Sequence, residues 1–379
     1  MSVGAFNELF SVVDDPRIER SKRHELVDIL FLCVAATIAG CDGPTEIADF
    51  ARQRLSWFRR FIRLVGDVPS HDTIGRVLSL IKPDQFQKAF LDWIASFADD
   101  SCDDGQPRFV PIDGKTLRGS GGANHRQQPL HLVSAWATKQ GMTLGQVAVD
   151  SKSNEITAIP KLLKMLELSG AIVSIDAMGC QKEIAQAIVK GGGDYVLAVK
   201  GNQPTLYEAI ETFFMERYEH DDFSQHGCLR RKTTEKSRGR LEQRHYTIAP
   251  LPRAMKSFLR QWKNLASVGQ VITLIERDGK QTSEVRYYIS SRPPRVKEFA
   301  TSTRKHWGIE SMHWILDVIF NEDASRIRNG DGTENFGFLR KFVLSLLKRD
   351  TSQGSLKGKR KRAGWNTNFL EKLLFGRKI

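Results

Sequence analysis

The chain has 379 residues, 40% of them apolar and 27% charged, a composition typical of globular proteins long enough for two or three domains. Its formal net charge of +13 predicts a polyanionic partner, and nucleic acid is favoured over an acidic membrane surface because the excess is local: residues 226–263 hold eleven Lys and Arg against two Glu. Five scattered cysteines without a CxxC pair argue against a zinc site or a disulfide framework and suit a reducing cytosol.

Residues 1–100 are predicted to form a helical N-terminal domain, either a DNA-binding or an associated domain. The apolar pattern predicts helices over 24–40, 44–64 and 84–98, with Ser70 as the N-cap of a further helix. The first helix is too short to cross a bilayer, and no secretory segment precedes it, so a cytoplasmic, nucleoid-associated protein without membrane contact is expected. A helix-turn-helix and a plain helical bundle give the same pattern, and both stay open.

A run of basic residues follows within this region, and no acid lies between positions 50 and 66. It indicates either a phosphate-facing helix or an ordinary solvated face. The candidate DNA-binding residues are Arg52, Arg54, Arg59 and Arg60.

After a polar linker, strand and helix patterns alternate in a characteristic order. Strands are predicted at 108–113, 131–137, 143–150, 171–176 and 194–199, with helices at 155–168, 180–190 and 204–218. Three antiparallel strands followed by alternating helices and parallel strands are the order of an RNase H-like fold. We therefore expect an α/β protein with a mixed sheet flanked by helices, whose catalytic core begins with residues 108–218.

The rest of the chain predicts an antiparallel β insertion at 219–295, further core helices at 296–350 and a basic C-terminal tail at 351–379 that begins as a flexible linker. In the insertion, strand alternation places Arg238, Arg240 and Arg244 on one face with Lys236, a candidate clamp for the DNA backbone. An edge strand kept soluble by charge is the alternative. The candidate DNA-binding residues here and in the tail are Arg230, Arg231, Lys236, Arg238, Arg240, Arg244, Lys359, Arg360, Lys361 and Arg362.

Three acids in separate segments suit a shared metal site. Asp113 ends the run RFVPID, Asp176 ends AIVSID, and Glu310 lies in the helical stretch KHWGIESMHWILDVIF. Carboxylates from two strand ends and a helix can hold two divalent cations, an arrangement that serves phosphodiester chemistry. We expect two Mg²⁺ ions, for which Mn²⁺ can substitute, with the three acids as both metal ligands and catalytic residues.

Other polar residues are expected around this site. His306, Glu310, His313 and Asp317 share one helix face, and the histidines are predicted to contact phosphate or to orient Glu310. Asp317 is expected to play a structural part, pairing with a nearby arginine. The adjacent Trp307 and Trp314 are expected in the core, and a second group of phosphate candidates comprises Lys200, Asn202 and Gln203, although their Gly-Asn can equally be a plain turn.

The stretches IDGKTLRGS, HLVSAWA, VSIDAMGCQ, DYVLAVKGNQ and HWGIESMHWILDVIFNEDASRIR resemble those of the H-repeat-associated insertion-sequence transposases, which have an RNase H-like core. The resemblance runs from about residue 10 to about 350. It implies that Asp113, Asp176 and Glu310 are a DDE triad. Broader relatives carry Tyr and Arg seven and four residues before the catalytic Glu, whereas this chain has Thr303 and His306.

The resemblance further implies cleavage of DNA at the ends of a mobile element and joining of the 3′ ends to target DNA. The partners would be double-stranded element ends and target DNA, bound by a homodimer or larger assembly. Three alternatives remain at this point: an RNase H-like nuclease without strand transfer, a non-catalytic DNA-binding relic and a basic membrane-surface protein.

Overall fold

The computed structural model describes residues 3–19, 22–64, 66–95, 107–121, 128–150, 153–237 and 239–376. Its strands are β1 (Arg108–Thr116), β2 (His131–Ala137), β3 (Met142–Ala148), β4 (Ala171–Ile175), β5 (Asp194–Val199), β6 (Leu229–Ser237), β7 (Arg240–Pro250), β8 (Ser267–Arg277) and β9 (Lys280–Ser290). Its helices are α1 (Val3–Phe10), α2 (Leu26–Ile38), α3 (Pro44–Gln53), α4 (Leu55–Phe58), α5 (His71–Leu80), α6 (Pro83–Ala95), α7 (Glu155–Leu163), α8 (Lys182–Lys190), α9 (Pro204–His220), α10 (Val296–Phe320), α11 (Gly332–Arg349), α12 (Leu356–Trp365) and α13 (Thr367–Phe375).

The strands in the described part of the chain join one nine-stranded sheet in the order β3-β2-β1-β4-β5-β9-β8-β7-β6. β1, β2 and β3 pair antiparallel, while β4 runs parallel to β1 and β5 parallel to β4. This is the predicted RNase H-like order, and the fold prediction is confirmed. The insertion strands extend the same sheet, because β9 pairs antiparallel with β5.

Two helical layers cover opposite faces of the central strands. On one face, Val110 and Ile112 of β1 and Val173 of β4 pack with the apolar sides of α7, α8 and α9. On the other face lies α10, whose Ile309 and Met312 belong to a core shared with the N-terminal helices and α11. Because side chains alternate along a strand, residues one position away from the first set point toward α10.

The N-terminal helices follow the predicted pattern with two differences, the first of which is α1, where no helix was predicted. α2 is buried along almost its whole length, and Ser70 caps α5 by accepting a hydrogen bond from the Thr73 backbone N–H. The single helix expected over 44–64 is wrong: it breaks at Arg54, whose backbone leaves the helical region. After the break, Phe58 packs edge-on against Phe31 of α2. No helix among the residues described has the length and apolar character needed to span a bilayer.

The C-terminal segment differs from the flexible linker that was predicted. It forms α12 and α13, and Ser355 caps α12 through the Gly358 backbone N–H. Lys359 and Arg360 are buried, at 6% and 5% exposure. The linker prediction was wrong because these two cations have internal partners, which a local run of charge does not reveal.

Candidate active site

Asp113 lies within β1, which continues to Thr116, so the acid is inside the strand and not at its end as expected. It stands opposite Ser134 of β2. The next residue must be small: a Cβ on Gly114 would lie 2.1 Å from Glu155 Oε1 and 2.3 Å from His131 Nε2. The glycine therefore allows the hydrogen-bonded His131 and Glu155 side chains to pack directly beside this part of β1.

Asp176 directly follows β4, one residue beyond the strand whose last residue it was predicted to be. Its Oδ1 accepts a hydrogen bond from the Gly179 backbone N–H at 3.2 Å. Burial raises the pKa of Asp176, and the negative charges of Glu155 and Asp113 act in the same direction. Asp176 is thus a partly desolvated carboxylate close to two other acids.

Glu310 lies midway along α10 and faces these acids. Burial raises the pKa of Glu310, the charge of Asp113 raises it further, and the guanidinium of Arg286 opposes both. His313 Nδ1, one turn on, is 3.5 Å from Asp113 Oδ2. The predicted helix face is therefore the face turned toward β1.

The three acids line one cavity of about 580 Å³ between the sheet and α10. Lys200, Arg286 and His306 line it as well. The carboxylate oxygens of the three acids are of the type that hard divalent cations prefer. Burial and the nearby negative charges raise the pKa values of Asp176 and Glu310, and a bound cation would offset both effects. Within the described ranges no group of three or more His, Cys, Asp or Glu side chains already stands where it could hold a metal ion. The donor chemistry fits such ions, but a finished coordination geometry is not seen.

Comparison with known proteins identifies the family of this chain. A family model described as "Transposase DDE domain" matches residues 104–346, and one described as "DDE_Tnp_1-associated" matches residues 7–94. The chain belongs to the DDE transposase family. The resemblance inferred from the sequence motifs is confirmed.

Individual relatives agree with this assignment. The chain is 41% identical to "Putative transposase YncI" of Escherichia coli O157:H7, over 99% of this chain and 95% of that protein. It is 37% identical to "H repeat-associated putative transposase YhhI" of Escherichia coli strain K12, over 99% of both. Among solved structures, the cryo-EM piggyBac transposase synaptic complex with hairpin DNA aligns with a TM-score of 0.44 and 11% identity, over 100% of this chain and 79% of that one.

The two histidines of α10 in this transposase-family chain have protein partners. His306 Nδ1 is 3.1 Å from Ser174 Oγ, and burial lowers the pKa of His306, which favours a neutral ring. His313 is 9% exposed and faces Asp113. Both are suited to positioning the neighbouring strand residues, and a neutral His306 adds no positive charge to the cavity.

Of the three phosphate candidates predicted after β5, namely Lys200, Asn202 and Gln203, only Lys200 lines the cavity. Lys200 is exposed. Asn202 donates its amide to the Ala177 carbonyl at 2.7 Å, and Gln203 donates to the Cys180 carbonyl at 3.0 Å. These two amides therefore brace the loop that follows Asp176, and their hydrogen bonds argue against the predicted phosphate contacts.

Two expectations about α10 need correction. Trp314 is 61% exposed and not in the core, while Trp307 lies under the guanidinium of Arg286, 4.8 Å from ring centroid to Cζ. Asp317 pairs with Lys115 at 2.7 Å instead of with a nearby arginine. A pattern of spacing on one helix cannot show which side is left uncovered or which strand supplies a partner.

The insertion does not present its basic residues as one clamp. Lys236 stands opposite Leu241 of β7, so it faces away from Arg240 and Arg244, which point toward α10. Arg244 is 8% exposed and pairs with Glu242 and Glu235, and Arg240 pairs with Glu242 as well. The predicted shared face is wrong, and Arg238 lies outside the described residues.

Other cations proposed for DNA binding are held by the protein itself. Arg54 donates to the Gly364 carbonyl, Arg59 donates to the Gly66 carbonyl, and Arg60 pairs with Glu371. Arg52 pairs with Asp49 on its own helix.

Three of the four basic residues proposed for DNA binding in the C-terminal segment also have partners within the protein. Lys359 pairs with Asp350 at 3.1 Å, and the Arg360 guanidinium stacks on Phe320 while pairing with Asp42. Arg362 stacks on Phe369, whereas Lys361 is exposed. Burial of Lys359 and Arg360 with internal acceptors argues against a DNA-contacting role for both.

Several residues near the cavity were missed from the sequence. Lys115 binds three carboxylates, Glu155 pairs with His131 at 2.6 Å beside Gly114, and Arg286 enters the cavity from β9. Lys115 and Glu155 could have been found from the sequence, because Lys115 lies two residues after Asp113 and Glu155 is the first residue of a helix. No local sequence pattern indicated Arg286, because its position depends on the pairing of β9 with β5.

Proposed function

We propose that the chain is an active DNA transposase that cleaves phosphodiester bonds at the ends of an insertion sequence and joins the freed 3′ ends to target DNA. The observation that supports this most strongly is the lining of one cavity by Asp113, Asp176 and Glu310 in a member of the DDE transposase family. The three acids come from β1, from the end of β4 and from α10, so only the folded chain has this cavity.

In this proposal the three carboxylates hold two divalent cations, Mg²⁺ or in its place Mn²⁺. When bound, such ions activate a water or a 3′-hydroxyl and stabilise the leaving oxygen. The protein itself fixes the carboxylates: the Gly179 N–H holds Asp176, and His313 lies beside Asp113. Placing the acids on rigid elements limits the rearrangement that binding requires.

The role of the triad is tested by charge-removing substitutions of nearly constant volume. Asp113→Asn, Asp176→Asn and Glu310→Gln should each lower cleavage of a labelled element-end duplex in Mg²⁺ by at least about 10³-fold while duplex binding stays within a few-fold. Asp150→Asn, which removes an exposed acid paired with Lys161, is the matched control and should cleave normally. Near-normal cleavage by any triad variant would remove that residue from the proposed site.

Strand transfer is tested separately. A duplex that already ends in the free 3′-hydroxyl of the element is mixed with supercoiled target, and joined products are counted. Joined products support transposition, whereas cleavage of uncut ends without joining would favour a nuclease of the same fold. Since two ends must be brought together, the active assembly is expected to be a homodimer or larger, in the bacterial nucleoid.

Double-stranded DNA is the proposed partner, and the exposed face of β6 is its proposed backbone contact. Arg230, Lys232 and Lys236 alternate on the side facing away from α10, and all three are exposed. Each phosphate contact contributes about 0.9 to the slope of log K against log salt, so changing the three to Ala should flatten the slope by roughly 2–3.

A matched triple variant controls for the overall loss of charge. Lys164, Lys182 and Lys190 are exposed on or beside α7 and α8, the helical layer opposite α10. Their replacement by Ala should leave the slope within about one unit, because only direct phosphate contacts release counterions. Equal slopes for both triple variants would mean that β6 does not contact the backbone.

A further inference from the structure

Arg286 is the cation that the β insertion brings to the candidate active site. It lies on β9, and the pairing of β9 with β5 brings it to the same cavity as Asp113, Asp176 and Glu310. Among the described residues that line this cavity, Lys200 and Arg286 are the Lys and Arg side chains. One is an exposed lysine at the end of β5, and the other is anchored.

Three neighbours hold the Arg286 side chain, and one of them, Tyr288, shares a side-chain hydrogen bond with Arg286. Its Nε donates to Glu284 Oε1 at 2.8 Å, and its guanidinium lies over the Trp307 ring at 4.8 Å from the centroid. The side chain is 29% exposed. A guanidinium held by an acceptor at Nε and a ring below is fixed in orientation, and its planar fork of donors matches two phosphate oxygens.

The residues of α10 that line the cavity include no Lys or Arg. The residues of α10 that line the cavity are Thr303, His306, Trp307 and Glu310. Thr303 donates its hydroxyl to the Phe299 carbonyl one turn earlier, and the Nδ1 of His306 is engaged with Ser174. Positive charge for a phosphate must therefore come from another element.

We propose that Arg286 is a catalytic residue that binds the non-bridging oxygens of the scissile phosphate beside Glu310, so that the last strand of the β insertion completes the active site. This inference rests on the proposed transposase function. The β insertion would then take part in catalysis in addition to any contact with the DNA backbone. Trp307 orients the Arg286 guanidinium by packing against it.

Arg286 neither gives up nor takes up a proton in the proposed step. In hydrolysis the water oxygen forms a bond to phosphorus, and the bond from phosphorus to the 3′ oxygen breaks with its electron pair. The water gives up a proton and the 3′ oxygen takes one up, leaving a 3′-hydroxyl and a 5′-phosphate. Negative charge grows on the phosphoryl oxygens during this exchange, and a fixed guanidinium stabilises it more in the transition state than in the bound substrate.

The test compares Arg286→Gln and Arg286→Lys with wild-type protein, using full-length chain and labelled element-end duplex in Mg²⁺. Arg286→Gln should lower the single-turnover cleavage rate about 10²–10³-fold while the Kd for the duplex in Ca²⁺ stays within threefold. Arg286→Lys keeps the charge but loses the fork, so it should be about tenfold slower than wild type, again with unchanged Kd. Added guanidinium ion should partly restore the Gln variant.

The outcomes separate this inference from the proposed function. If wild type cleaves and Arg286→Gln cleaves within threefold of it, Arg286 is not catalytic, and the proposed triad is unaffected by this result. If the urea midpoint shows that Arg286→Gln does not fold, the Arg286→Lys variant is decisive. Cleavage by Arg286→Lys at the wild-type rate would overturn the proposed bidentate contact. A loss of rate matched by an equal loss of affinity would also overturn it, since Arg286 would then only bind DNA. Lys200→Met tests the other cation of the cavity, and a larger rate defect there than in Arg286→Gln would assign the phosphate to Lys200.

Discussion

Lys115 connects β1, the first strand of the core, to the C-terminal end of α10 through ion pairs. Its Nζ lies 2.7 Å from Asp317, 2.9 Å from Glu322 and 3.2 Å from Asp323, and its side chain is only 9% exposed. Asp317 is two helical turns beyond Glu310 on α10, and Lys115 is two residues beyond Asp113 on β1. We predict that Lys115→Met, which removes the charge at similar length, destabilises the fold and disturbs the distance between these two acids.

The magnitude follows from the burial of each partner. The two aspartates keep 32% and 28% of their side chains exposed, so water can replace part of the lost interaction, whereas Glu322 is fully buried. Burial by itself would raise the pKa of Glu322, but the charges of Lys341, Lys115 and Arg340 lower it overall. Removing one partner of a buried ion pair costs about 3–5 kcal/mol. Because Lys341 and Arg340 remain, we expect the lower end, about 3 kcal/mol.

Urea denaturation of wild type, Lys115→Met and the double variant Lys115→Met/Glu322→Gln measures this loss. The double variant should recover only part of the lost stability: it leaves no unpaired buried carboxylate, but the buried Lys341 and Arg340 lose the charge of Glu322. Lys161→Met is the control: its pair with Asp150 is largely exposed on both sides and should contribute at most about 1 kcal/mol. If Lys115→Met lies within 1 kcal/mol of wild type, the ion cluster does not hold β1 and α10 together.

Three further predictions concern other parts of the molecule. Asp350 is buried among Lys372, Lys359 and Ser352, and although burial would raise its pKa, their hydrogen bonds lower it well below 3.8. The ionised form therefore stabilises the fold above about pH 4, and the difference in urea stability between wild type and Asp350→Asn, about 3 kcal/mol at pH 7, should shrink as pH falls below that value. In Gly269→Ala, a Cβ would lie 2.5 Å from the buried Phe299 ring and should cost about 1–3 kcal/mol by urea denaturation, whereas Gly201→Ala has open space and should be neutral. Cleavage should require Mg²⁺ or Mn²⁺, with Ca²⁺ supporting DNA binding but little cleavage; full activity in EDTA would exclude the metal mechanism.

The sequence by itself determined the elements of the core and the position of the candidate acids along the chain. Alternating apolar residues marked β2 and β5 at the residues where they are found, and the strand order followed from their sequence of antiparallel and parallel connections. Asp113, Asp176 and Glu310 were each identified from a local context. Short-range periodicity is enough for such conclusions, because the pleat of a strand and the turn of a helix repeat within a few residues.

Only the tertiary structure decided which side chains meet. Arg286 belongs to the cavity because β9 pairs with β5, and Arg360 is buried because α12 packs where Phe320 and Asp42 can hold its guanidinium. The exposure of Trp314 likewise depends on which elements happen to cover α10. Partners far apart in the chain leave no periodic trace in either segment, so a run of basic residues looks the same whether it faces solvent, DNA or a buried carboxylate.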